Sequence, residues 1–233
     1  MTGTLDRLGG PFDALLHLMD RQLIDTDGRL LGKVDDIELT HTDAGLTITA
    51  LLTGPAALLP RLGGRLADQL VTTWQQMRPS EPHRTWPWRI PMGRVDYVDS
   101  AVHLNVRRDD LLNRDTTSFR LGSLAGMTVE EPDGRKVGQV LDARFEPNGD
   151  GALVLRSLLV GRGGPGSLLG YDRRADQGPL IVRRIIRLWH RDTRVVDIAS
   201  AQILWNNEHV RLREPLRSIG RRATDSPARP TEW

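Results

Sequence analysis

The chain has 233 residues, enough for one large domain or two of about a hundred residues each. Apolar residues make up 39% and charged residues 27%, which excludes a membrane-spanning or disordered composition. Cysteine is absent, which excludes disulfides, thiolate metal sites and cysteine nucleophiles.

The net charge of +2 conceals an asymmetry: residues 1–112 hold 12 basic and 15 acidic side chains, and residues 113–233 hold 20 and 15. The excess lies between Arg173 and Arg222, where 12 arginines face five acids. Such a run is either a solvated face or a patch that attracts nucleic acid, anionic lipid or an acidic protein. No eighteen-residue apolar run occurs, and no basic flank precedes an apolar stretch at the N-terminus. The expectation is a cytoplasmic protein without a transmembrane segment.

In chain order, Gln22–Asp25 and Leu30–Leu39 predict a hairpin closed by Thr26-Asp27-Gly28, with Asp-Gly supplying a positive-φ turn. Gly32 inside the second strand predicts a bulge or a close backbone approach, and it opens the run Gly-x-Val-x-Asp that ends on Asp36. Leu46–Leu51 alternates apolar with small side chains, the period of a half-buried strand. Leu62, Leu66, Leu70, Trp74 and Met77 then recur at helical spacing. Trp86 and Trp88 follow; exposed they are interface anchors, and packed beside Trp74 they are core, which is the preferred reading. Short strands close the segment at Arg89–Met92, Val95–Val98 and Val102–Val106.

A shift of 106 residues lays Leu15–Leu39 on Leu121–Phe145 without a gap, with eight identities in 25 positions. Among the identities, Asp27/Asp133, Gly28/Gly134, Gly32/Gly138 and Asp36/Asp142 carry the turn and strand pattern. The offset becomes 107 at Leu51–Gly54 over Leu158–Gly161, and 108 where Ile90, Val95, Val102 and Leu104 fall on Ile198, Ile203, Val210 and Leu212. Loop insertions explain such slippage, so one module occurs twice. The second copy predicts strands at Thr128–Glu131, Lys136–Phe145, Leu153–Val160, Val195–Ile198, Ile203–Trp205 and Val210–Arg213.

In its insertion, Pro179 stands where a helix can start, and Ile181, Ile185, Leu188 and Trp189 share a face. Arg183, Arg184, Arg187 and Arg191 lie opposite, within roughly a 100° arc. Either those arginines stay in water while the helix closes one end of a barrel, or they dock a headgroup or an acidic partner. The expected fold is therefore mainly β: two tandem small antiparallel β-barrels, each with an inserted amphipathic helix. The first spans residues 12–112 and the second 119–214, with 215–233 a flexible tail rich in arginine, proline and small residues.

The apolar strand, the Asp-Gly-Arg turn, Gly-x-Val-x-Asp and the later Ile90-Pro91-Met92-Gly93-Arg94-Val95 together resemble the PRC-barrel. That family includes the cytoplasmic domain of the photosynthetic reaction-centre H subunit and the barrel of ribosome maturation factors. The residues that carry the resemblance are Leu23–Asp36 and Ile90–Val95 in the first copy and Asp133–Asp142 in the second. Ala199 stands where the first copy has Pro91, so the last hairpin of the second copy matches less well. The resemblance implies an interaction module that attaches to protein, ribosomal or membrane partners, as in stand-alone bacterial members of the family.

For chemistry the sequence is sparse. The six histidines form no HxH, HxxxH or HExxH spacing. Asp35-Asp36 and Glu130-Glu131 are adjacent on strands and so point to opposite faces. The glycine-rich run 161–166 lacks the Gly-Lys-Ser/Thr ending of a phosphate loop, and Pro165 removes an amide donor. It reads as a flexible connection, with Arg162 placed to hold an anion weakly. The expectation is a non-enzymatic adaptor without metal or cofactor that binds a protein partner, with Arg162, Arg183, Arg184, Arg187, Arg191, Trp86 and Trp88 as contact candidates. The alternative is an RNA- or ribosome-associated assembly factor using the same arginines on phosphates; contact with an anionic membrane surface is a third class.

Overall fold

A computed structural model describes residues 8–59, 86–113, 119–162 and 193–222. They fold mainly as β-structure in two compact units. Unit 1 runs to Gly122 and includes Glu146–Val154; unit 2 holds Ser123–Phe145 and the chain from Leu155 onward. In chain order the first elements are β1 (Phe12–Asp13), α1 (Ala14–His17), β2 (Gln22–Ile24), β3 (Leu30–Lys33), β4 (Asp36–Thr42) and β5 (Gly45–Thr53). They are followed by α2 (Pro55–Leu58), β6 (Trp88–Pro91), β7 (Val95–Val98), β8 (Val102–Leu104), β9 (Leu112–Asn113) and β10 (Phe119–Arg120). Next come α3 (Leu121–Leu124), β11 (Thr128–Glu130), β12 (Lys136–Pro147), β13 (Leu153–Gly161) and β14 (Arg194–Asp197). The last are β15 (Ala201–Leu204), β16 (His209–Leu212), α4 (Leu216–Ile219) and β17 (Arg221–Arg222).

In unit 1, one sheet has the order β3-β2-β8-β7, and a second ladder pairs β10 with β4, β4 with β5, β5 with β6 and β6 with β9. Unit 2 uses the same neighbours: β12-β11-β16-β15 in one direction, then β13 with β12 and β14, and β14 with β17. The strands are not all antiparallel as expected. β2 runs parallel to β8, with Leu23 opposite Val102, and β11 runs parallel to β16, with Val129 opposite Val210. A crossover connects the members of each pair, which a hairpin cannot do.

The repeat extends to single hydrogen bonds. Asp20 N–H donates to Val34 O (2.8 Å) and Val34 N–H to Arg21 O (2.9 Å); 106 residues on, Gly126 N–H donates to Val140 O (2.8 Å) and Val140 N–H to Met127 O (2.9 Å). Both first hairpins carry an irregularity at the same point, between Leu23 and Ile24 and between Val129 and Glu130. The cores correspond as well. Leu18, Leu23, Val34, Leu39, Leu51 and Ile90 are buried in unit 1; Leu124, Val129, Val140, Phe145, Leu158 and Val196 are buried in unit 2. Each such side chain contributes about 1.5–3 kcal/mol on burial, so either set alone is a substantial core.

The strand register corrects the alignment of the later segment. Leu51 faces Ile90 across β5 and β6, and its equivalent Leu158 faces Val196 across β13 and β14. Ile90 therefore matches Val196, not Ile198, and the offset there returns from 107 to 106. The one-turn 3-10 helices that follow agree, at Met92–Arg94 and Ile198–Ser200. The counterpart of Pro91 is thus Asp197, and Ala199 matches Gly93. Two extra residues enter only in the last hairpin turn, after which Val102 and Leu104 match Val210 and Leu212 as expected.

Other expectations shift locally. The strand foreseen at Leu30–Leu39 breaks at Val34-Asp35 into β3 and β4, whereas its copy β12 is continuous. β5 is buried on both faces rather than one: Thr47 is buried among the apolar residues, its hydroxyl within reach of Gly45 O (3.2 Å) and Thr42 Oγ1 (3.0 Å). Leu216–Ile219 forms a helical turn and Arg221 pairs with Val195, so the start of the supposed tail belongs to unit 2. Both predicted helical insertions lie outside the described residues, as do Arg183, Arg184, Arg187 and Arg191. Among the described residues, no helix is long and apolar enough to cross a membrane.

Candidate functional site

In the first copy the Asp-Gly-Arg turn is organised by a carboxylate two residues before the aspartate. Asp25 Oδ1 accepts from Asp27 N–H (2.9 Å) and Arg29 N–H (2.8 Å), while Gly28 N–H donates to Asp25 O (3.0 Å). The Arg29 amide leads in holding the Asp25 carboxyl below its ordinary value, and the Asp27 and Arg108 amides add to it against the opposing effect of burial. In the second copy Gly134 N–H donates to Glu131 O (2.9 Å), and Glu131 accepts from Leu216 N–H (2.9 Å) and the Arg135 guanidinium. Gly28 and Gly134 have φ of +75° and +83°, the left-handed region that an Asp-Gly turn requires. Asp25 and Glu131 were absent from the sequence-based candidates. They match at the 106-residue offset as acid for acid, a signal that a count of identities discards.

The four aspartates and glycines singled out in each copy fall on this frame. Asp27 is exposed and pairs with Arg107 (3.0 Å), and Asp133 accepts from Arg135 N–H (2.9 Å). Asp36 Oδ1 accepts from Ile37 N–H (2.8 Å) and Gly122 N–H (2.9 Å), and Asp142 Oδ1 accepts from Ala143 N–H (2.7 Å). The Asp36, Asp133 and Asp142 carboxylates are occupied by backbone, and that of Asp27 by a guanidinium. Gly138 marks a close approach of two backbones, since a Cβ there would sit 2.6 Å from Gly161 O. At Gly32 a Cβ would meet the Thr53 hydroxyl at 3.0 Å.

Beside each turn lies a groove. In unit 1 it has a volume of about 330 Å³, and Asp25, Asp27 and Asp109 face Arg29, Arg107 and Arg108. In unit 2 it is larger, about 750 Å³, and its charged lining is Arg135, Lys136, Arg162, Arg194 and Arg217 against Glu131 alone. Arg162, the candidate read from the glycine-rich run, thus stands exposed at the rim with cations the sequence reading left out. Those additional cations come from three separated segments, so nothing local in the sequence announces their convergence.

Trp86 and Trp88 are 38% and 43% exposed, which corrects the preference for core. Trp88 opens β6 beside the backbone of Gly54, whose missing Cβ would lie 3.7 Å from the indole, so the ring covers the strand end instead of entering the core. One step further along β6, Arg89 holds the buried Glu38 through its Nε (2.9 Å to Oε2). Burial raises the Glu38 carboxyl, but Arg89 and the Thr49 hydroxyl (2.8 Å) outweigh it and the net shift is downward.

Among the described residues, the nearest approach to a catalytic grouping is Asp99, Ser100 and His103. His103 Nε2 lies 3.1 Å from Asp99 Oδ1, and Ser100 Oγ reaches the same oxygen at 3.4 Å. Both side chains thus converge on the carboxylate, which also accepts from Ala101 N–H (2.8 Å) and fixes the turn between β7 and β8. A general base must instead meet the nucleophile directly. Tyr97 stacks on the imidazole at 4.2 Å. Among the described residues, no three His, Asp or Glu side chains gather as metal ligands. Against known proteins, no family model matches the chain and no curated protein matches it.

Proposed function

We propose that this chain is a non-enzymatic interaction protein made of two tandem PRC-barrel-like modules, acting in the cytoplasm on a protein partner. The observation that carries this reading is how the repeated acids are used. Asp25, Asp36, Glu131 and Asp142 occur at equivalent points of both copies and accept hydrogen bonds from backbone amides. A carboxylate engaged in this way shapes a turn and is poorly suited to pass protons to a substrate. What differs between copies is then the part open to recognition. Trp86 and Trp88, with large exposed indoles at the head of β6, are the protein-binding anchors.

Affinity capture from native cells tests this, using the wild-type chain and Trp86→Ala/Trp88→Ala in parallel at low and high salt. The expected result is a partner recovered by the wild type at both salt concentrations and lost with the double variant. Recovery that is unchanged in the variant and abolished by salt contradicts it, and points to the RNA- or ribosome-associated alternative, for which phosphate contact gives a steep salt dependence.

A further inference from the structure

The two grooves beside the Asp-Gly-Arg turns are the same place in the module, yet they differ in charge. Glu131 and Arg135 of the second groove match Asp25 and Arg29 of the first. The other cations have no cationic counterpart. Lys136 stands where the first copy has Leu30, Arg194 where it has Trp88, and Arg217 where it has Asp109. The fold itself therefore does not dictate the positive lining, and the first groove serves as an internal control.

Charge pairing sharpens the contrast. In the first groove Arg107 is bound to Asp27 (3.0 Å). In the second, Glu131 is already taken by the Arg135 guanidinium and the Leu216 amide. Lys136, Arg162, Arg194 and Arg217 have no carboxylate partner among the described residues. Four such cations around one groove repel one another and lose that cost when an anion enters. Its volume of about 750 Å³ is that of a small-molecule site.

We propose that the groove of unit 2 binds a compact anion carrying two or more phosphoryl groups. Each phosphoryl group carries about −1.5 to −2 charges, so two of them balance these four cations, and guanidinium forks match phosphoryl oxygens bidentately. Thr128 and Gln139, also in the lining, supply neutral hydrogen-bond donors. The site shares no residue with the tryptophan pair and does not depend on the protein-partner reading.

Inorganic pyrophosphate is the probe, titrated into the full chain in metal-free buffer and followed by calorimetry and by amide chemical shifts. The expected result is saturable binding with shifts at Thr128, Gln139 and Gly161, tighter than for inorganic phosphate. Lys136→Gln/Arg194→Gln should weaken it by about tenfold or more, while Arg107→Gln/Arg108→Gln in the first groove should leave it unchanged. Overturning results are no saturation, equal losses from both pairs of variants, or an oligoglutamate peptide that binds as tightly as pyrophosphate. Unchanged amide spectra of the variants outside the altered grooves keep a folding defect from being mistaken for a lost site.

Discussion

Gly28 and Gly134 hold equivalent left-handed turn positions, so valine at either one sets a β-branched residue where its Cβ clashes with its own backbone. A loss of about 1–3 kcal/mol is expected for each, measured as a lowered midpoint in denaturant unfolding. At Gly138 the obstacle is another strand instead: alanine places a methyl 2.6 Å from Gly161 O, and the two backbones must separate. About 1–3 kcal/mol of destabilisation is expected there too, with the largest amide-shift changes at Gly138 and Gly161. Both roles were legible in the sequence, because glycine after aspartate and glycine inside a strand each have few physical explanations. Asp25 and Glu131 were less visible, since each is recognised by its partners: the turn amides for Asp25, and the Leu216 amide and Arg135 guanidinium for Glu131.

Between elements, the buried Glu38–Arg89 pair ties β4 to β6 across the intervening β5. Its net downward shift fixes the direction of a pH effect. The pair's contribution is fully present above the ordinary value of 4.5 and is lost as pH falls through the depressed folded-state value. Glu38→Gln should therefore cost stability at neutral pH, about 1–3 kcal/mol after allowing for the partial exposure of Arg89. It should also flatten the acid limb of the stability profile. The register between β13 and β14 offers a second test at this scale: Val196 is buried and Ile198 is partly exposed. Val196→Ser should destabilise by at least about 1 kcal/mol more than Ile198→Ser in thermal unfolding. Strand existence and most strand positions followed from apolar periodicity. The two-residue slip was misplaced because Ile198 and Ile203 imitate Ile90 and Val95 in type, and only hydrogen-bonded pairing separates an isoleucine facing the core from one two residues away. Parallel pairing of β2 with β8 was likewise hidden, since alternation reports which face is buried and not which strand lies alongside.

For the whole molecule, duplication builds one frame twice and leaves its surroundings to diverge, into exposed indoles in one copy and a cationic groove in the other. The arginine excess of the second half foreshadowed the groove only as net charge. Its members are far apart in sequence and meet through β12, β13, β14 and α4. The central claim is that the repeated carboxylates maintain shape while recognition belongs to side chains outside the frame. The most direct measurement compares two alterations of the purified chain with its captured partner: Asp36→Ala, in the frame, and Trp86→Ala/Trp88→Ala, outside it. Asp36→Ala should lower Tm, leaving two amides without their acceptor at a cost of about 1–3 kcal/mol. Partner Kd for the folded fraction should stay within about twofold of wild type, while the tryptophan double variant should keep its Tm and weaken Kd by about tenfold or more. The opposite pattern, with binding lost from an Asp36 variant that is still folded and retained without the tryptophans, would contradict the account.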